Sequence, residues 1–153
     1  MTQRLYFAVS IAAPRSRVWL TLQSPDGYRD WTSAFCEGST YEGSWEQGAR
    51  IRFLAPSGDG MTSEIAERRE GTLLSIRHLG EIRQGVDDTH SPQVLAWAPA
   101  YENFHLRDLP AGGTELRVEV DTVADYVQYM HDTYPRALQR LKALCEAQEM
   151  HAS

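Results

Sequence analysis

Near the end of the chain Val123, Val127, Met130, Tyr134, Leu138, Leu141 and Cys145 recur at steps of four and three. That spacing lays them along one stripe of an α-helix. From Thr40 to Val120 the pattern is different: short runs of period two, broken by Gly, Asp, Pro and Ser groups, which is the signature of antiparallel strands. A one-sided helix that follows six or seven such strands has to bury its stripe, and the apolar face of the sheet is the surface available to it. The expected fold class is therefore α+β, an antiparallel sheet of six or seven strands wrapped around a C-terminal helix from about Thr122 to Gln148. Thr122 followed by Asp125 reads as a capping-box variant that starts this helix. Pro135 removes one backbone donor inside it and predicts a kink.

The first strand is expected over Leu5–Ala12, with Leu5, Phe7, Val9 and Ile11 on its core face. Pro14 can open a short helix carrying Val18, Trp19 and Leu22 inward. Ser24-Pro25-Asp26-Gly27 interrupts it, and Tyr28, Trp31 and Phe35 then recur at helical spacing in a second short helix or turn. Further strands are expected over Tyr41–Trp45, Arg50–Leu54, Met61–Arg69, Thr72–Ile82, Tyr101–Leu109 and Glu115–Asp121. Between them Gly85–Pro99 is too long for a tight hairpin and reads as a loop, a class of segment that is often functional or mobile.

No linker or composition shift divides the 153 residues, so residues 1–153 are expected to form one domain with a core of their own. The balance of 15 Lys and Arg against 21 Asp and Glu gives a net charge of -6, which repels nucleic acid and anionic membrane surfaces. No apolar run reaches the roughly 20 residues of a membrane span, and Met1–Leu5 opens no signal-peptide pattern, so a cytoplasmic location is expected. Cys36 and Cys145 have no metal or redox spacing and read as free thiols.

The chain contains no phosphate loop, dinucleotide glycine fingerprint, Gly-x-Ser-x-Gly elbow or His-Glu-x-x-His. Its five histidines, His78, His90, His105, His131 and His151, lack metal-ligand spacing, and neither a metal nor a cofactor is expected.

Four groups of residues resemble a known superfamily in their order along the chain. They are Ile11-Ala12-Ala13-Pro14-Arg15-Ser16-Arg17-Val18-Trp19, then Trp31 with Trp45-Glu46-Gln47-Gly48, then Gly113-Thr114-Glu115-Leu116, and last Tyr134-Pro135-Arg136-Ala137-Leu138-Gln139-Arg140-Leu141-Lys142. The order strand, two short helices, meander and long helix resembles the START-like superfamily (SRPBCC), with its helix-grip fold. Within it, the chain is most similar to the branch related to the co-chaperone that activates the ATPase of heat-shock protein 90. Tyr134 stands where that branch often has Trp. The resemblance implies a space between sheet and helix, and one fold of this kind hosts many activities.

Strand parity says what would face such a space. Phe53, Ile65, Ile76 and Phe104 lie on the apolar faces of their strands, Met130, Tyr134 and Leu138 on the helix stripe, and Trp31 and Trp97 are placed to close the mouth. Two polar residues share the apolar parity: His78 continues the face of Leu74 and Ile76, and Glu102 precedes Phe104 and Leu106. A buried imidazole or carboxylate needs a partner or a ligand, so both are expected at the polar end of the cavity. Three functions fit. One is a binding module for a small hydrophobic or amphipathic molecule, the second an enzyme of the polyketide-cyclase or hydratase kind with an acid–base pair in the same cavity, and the third an interaction protein of co-chaperone type. A homodimer stays open.

Overall fold

The computed structural model describes residues 2–152, with side chains placed as far as residue 147; His151 lies beyond the described side chains. The elements are β1 (Thr2–Ile11), α1 (Arg15–Gln23), α2 (Pro25–Trp31), β2 (Thr40–Gly43), β3 (Arg50–Leu54), β4 (Gly60–Arg69), β5 (Leu73–Arg83), β6 (Val86–Asp88), α3 (Pro92–Leu95), β7 (Ala100–Asp108), β8 (Thr114–Val123) and α4 (Val127–Ala152). Seven strands form one antiparallel path, β1-β8-β7-β5-β4-β3-β2, and the three-residue β6 adds an eighth beside β5. The long helix α4 packs on β1, α1 and α2, so the sheet grips it as expected.

Strand parity decides the core. Leu5, Val9 and Ile11 of β1 are buried together with Leu116, Val118 and Val120 of β8 and with Phe104 and Leu106 of β7. From α4 come Tyr134, Ala137, Leu138, Leu141 and Cys145, all at 2% exposure or less. Burying a large apolar side chain contributes about 1.5–3 kcal/mol, and the stripe is the main force docking α4. Both cysteines are free thiols, Cys36 exposed and Cys145 buried.

Two local readings are corrected. Thr122 does not cap a helix: it pairs with Gln3 in the ten-residue ladder of β1 with β8, and its side chain is buried. The ladder claims the backbone through Val123, a 3₁₀ turn over Ala124–Tyr126 follows, and α4 starts at Val127. Tertiary pairing thus outcompetes a local capping pattern.

The stretch Gly85–Pro99 is not bare loop either. Gln84 and Gly85 both have positive φ (48° and 83°), which closes a two-residue hairpin between Arg83 and Val86. Ser91 then caps α3 by accepting from the Val94 N–H, with Pro92 in the first helical position. The same Ser-Pro device starts α2, where Ser24 accepts from the Gly27 N–H at 3.2 Å. Gly27 is required there, because a Cβ would stand 2.1 Å from the Thr21 carbonyl oxygen. No helix among the described residues is long and apolar enough to cross a membrane.

Candidate functional site

A cavity of about 580 Å³ opens between the concave face of the sheet and α4, within the range of small-molecule sites. Its walls are mostly apolar. Trp31, Phe53, Ile76 and Phe104 line it from α2 and the sheet, Met130 and Tyr134 from α4, and Trp97 from the segment before β7. His78 and Glu102 line it as well. Two residues expected there lie elsewhere: Ile65 and Leu138 are fully packed core side chains and do not reach the lining. Ile65 pairs with Ile76 across β4 and β5, and Leu138 sits one turn beyond Tyr134, where α4 is already pressed against its neighbours.

The polar end is built by strand register. Ser63 of β4 stands directly opposite His78 of β5, and His78 opposite Ala100 of β7, which puts Glu102 on the diagonal. Diagonal neighbours on one face of a sheet are within reach of long side chains. A register shift in β5 falls after His78, so His78 keeps the face of Leu74 and Ile76.

The result is one chain of hydrogen bonds. Ser63 Oγ lies 2.7 Å from His78 Nδ1, and His78 Nε2 lies 3.0 Å from Glu102 Oε1. The Tyr134 hydroxyl donates to Glu102 Oε2. Because an ionised carboxylate only accepts, Nε2 carries the proton toward Glu102. The neutral ring then accepts the Ser63 O–H on Nδ1, and the doubly protonated ring would donate to the same oxygen. Ser63 is fully buried and is absent from the cavity wall, so it orients the imidazole from behind. Tyr134 is itself fixed by stacking on Phe7 at 5.0 Å and by an edge contact with Phe35 at 5.0 Å.

Burial is the largest influence on the Glu102 carboxyl and pushes its pKa up. The His78 hydrogen bond and charge, with the Tyr134 hydrogen bond, outweigh it, and the carboxyl sits below its ordinary value. Burial, then the charge of Glu102 and the hydrogen bond to it, raise the Tyr134 hydroxyl well above its ordinary value. At neutral pH the pair is a carboxylate and a protonated phenol.

A depressed carboxyl contributes stability that is fully present above its unfolded pKa, near 4.5, and is lost as the pH falls through the folded value. The difference in unfolding free energy between the native protein and Glu102→Gln is therefore expected to narrow below pH 4.5. Urea titrations at pH 6 and in steps below 4.5 read it, and a difference constant with pH would remove the carboxylate assignment.

Two contributors were not anticipated in the sequence. Ser63 shares the odd-numbered face of Ile65, a parity signal as clear as that of His78. Tyr28 of α2 also lines the cavity, packed against Trp31, Tyr41 and Phe53 at 5.3–5.8 Å between ring centres. Among the described residues no group of three His, Cys, Asp or Glu side chains is placed to hold a metal.

No protein-family model and no curated protein matches the chain. Solved structures do. Protein MLL2253 from Mesorhizobium loti is similar at a TM-score of 0.72 and 18% identity, over 95% of this chain and 98% of its own. The Aha1 dimer from Colwellia psychrerythraea is similar at 0.72 and 17%, over 94% and 96%. DynU16, a protein of the dynemicin biosynthetic locus, is similar at 0.68 and 18%, where this chain spans 94% of itself and 47% of that protein. At these identities the likeness shows the fold alone, an antiparallel sheet that grips a long C-terminal helix.

Proposed function

We propose that the protein is a binding module that holds a small, largely apolar molecule between the sheet and α4. The observation that carries this reading is the cavity of about 580 Å³ with mostly apolar walls and, on the sheet beside Ile76 and Phe104, the partly accessible carboxylate of Glu102, whose side chain is 19% exposed. The fold neighbours include both an Aha1 dimer and a protein of a biosynthetic locus, so the fold itself favours neither a chaperone nor an enzymatic role.

The acid–base alternative is disfavoured by the hydrogen bonding. Efficient proton transfer calls for a group with a pKa near the working pH and a free site facing the substrate. Glu102 is depressed, Tyr134 is raised, and both ring nitrogens of His78 are already engaged. The cluster is arranged to stay as it is.

N-phenyl-1-naphthylamine, a neutral fluorescent probe, is expected to bind with a blue shift. Phe104→Trp is expected to weaken it about tenfold or more by filling the space, at a cost of about 1–3 kcal/mol in stability. A native protein that leaves the probe unshifted would place these side chains in ordinary core. A native mass spectrum of freshly purified protein is expected to carry a retained small molecule, and the same spectrum reads any association of two copies as a doubled mass.

A further inference from the structure

Tyr28 supplies what the described cluster lacks. Its side chain is buried in the cavity wall and its ring is fixed by neighbours, yet its hydroxyl has no hydrogen-bond partner among the described residues. Burial first, and then the charge of Glu102, raise this hydroxyl above its ordinary value, so it remains a protonated donor and shares the field of the carboxylate. Unlike the sealed, unpartnered Trp45 Nε1, this hydroxyl is open to the space beside it, where a ligand atom can accept its hydrogen.

Glu102 shows the complementary need. Each of its oxygens takes one donor, from His78 and from Tyr134, and a carboxylate has about four acceptor sites in all. What remains toward the cavity is acceptor capacity. The donors of His78 and Tyr134 are already spent on Glu102.

Building on the binding reading, we infer that the cavity recognises a neutral hydroxyl, an alcohol or phenol on an otherwise apolar skeleton. The ligand O–H donates to the Glu102 carboxylate, and the ligand oxygen accepts from Tyr28. An ether, ketone, ammonium or carboxylate end satisfies half of the pair or less. An ether or ketone accepts from Tyr28 and leaves Glu102 without a donor. An ammonium donates to Glu102 and offers Tyr28 no acceptor. A carboxylate meets the charge of Glu102 in a poorly screened space and is repelled.

The test uses four probes of one skeleton, naphthalene, 2-naphthol, 2-methoxynaphthalene and 2-naphthoate, each displacing N-phenyl-1-naphthylamine from the full chain. The naphthol is expected to compete about tenfold better than naphthalene or the ether, with the naphthoate weakest. In Tyr28→Phe, which keeps the ring, and in Glu102→Gln the preference of naphthol over ether is expected to fall to within about threefold. Circular dichroism and binding of N-phenyl-1-naphthylamine itself confirm that each variant is folded, and Tyr28→Phe decides alone if Glu102→Gln is not. An ether equal to the naphthol on the native protein, a preference untouched by Tyr28→Phe, or a naphthoate that binds best would each overturn the hydroxyl assignment while leaving the apolar cavity in place. Failure of N-phenyl-1-naphthylamine to bind the native protein would overturn the binding reading and the hydroxyl assignment with it.

Discussion

Replacing His78 with Ala is expected to lower the unfolding free energy by about 3 kcal/mol, a fall of about 6–12 °C in Tm for a chain of this size. Two causes add. The Ser63 hydroxyl, with no exposure to solvent, loses its partner, which costs about 1–3 kcal/mol for an unsatisfied buried group. Glu102 keeps Tyr134 but loses its other donor in a largely buried setting. The imidazole also leaves a space beside Phe53, whose ring centre is 5.9 Å away. Because part of the loss is the stranded hydroxyl, the pair Ser63→Ala and His78→Ala is expected to cost about 1 kcal/mol less than the sum of the single changes. Urea unfolding of the four proteins in the cycle measures it. Strict additivity would mean that the 2.7 Å contact contributes nothing.

Leu141→Ala is expected to cost about 3–4 kcal/mol, as for other fully buried leucines. Leu141 docks α4 against the core from below the cavity, and α4 is the element that closes the fold. Leu20, 66% exposed on α1, is the control: Leu20→Ala should stay within about 0.5 kcal/mol. Thermal unfolding of both variants separates the two cases. Equal losses would mean that α4 is held by something other than its apolar stripe.

How much of this could be read in advance follows from what each signal depends on. Period two and helical spacing are local, and they placed the seven main strands, α1, α2 and the stripe of α4. The shared parity of His78 and Glu102 with apolar neighbours was equally local, and the register of β5 with β7 turns it into a 3.0 Å contact. The donation from Tyr134 to Glu102 depends on how far α4 slides along the sheet, a coordinate that helical spacing does not contain. Ile65 and Leu138 have the right parity and stripe but lie where β4 and α4 are already packed, so face alone does not separate a lining residue from a core one. The start of α4 was misread because the ladder between β1 and β8 spans the whole chain, and no local pattern registers it. The hairpin at Gln84-Gly85 was missed because Gln is an unusual residue at positive φ, and α3 because its Ser91-Pro92 start, like Ser24-Pro25, reads equally as a turn.

The ladder between β1 and β8 also sets a schedule for synthesis. Each of its pairs joins residues about a hundred positions apart, Ile11 with Thr114 being the nearest. At about 5–20 residues per second a nascent β1 waits about 5–20 s for its sheet neighbour β8 to leave the ribosome. During that interval Leu5, Val9 and Ile11 have neither β8 nor α4 to cover them, and the edge of β1 is open to strands from other chains. Fast closure is unavailable to a topology of such high contact order. The alternation of Arg4, Tyr6 and Ser10 with those apolar positions thus serves the growing chain before it serves the finished one, by keeping one face of a lone strand largely polar until its partner arrives.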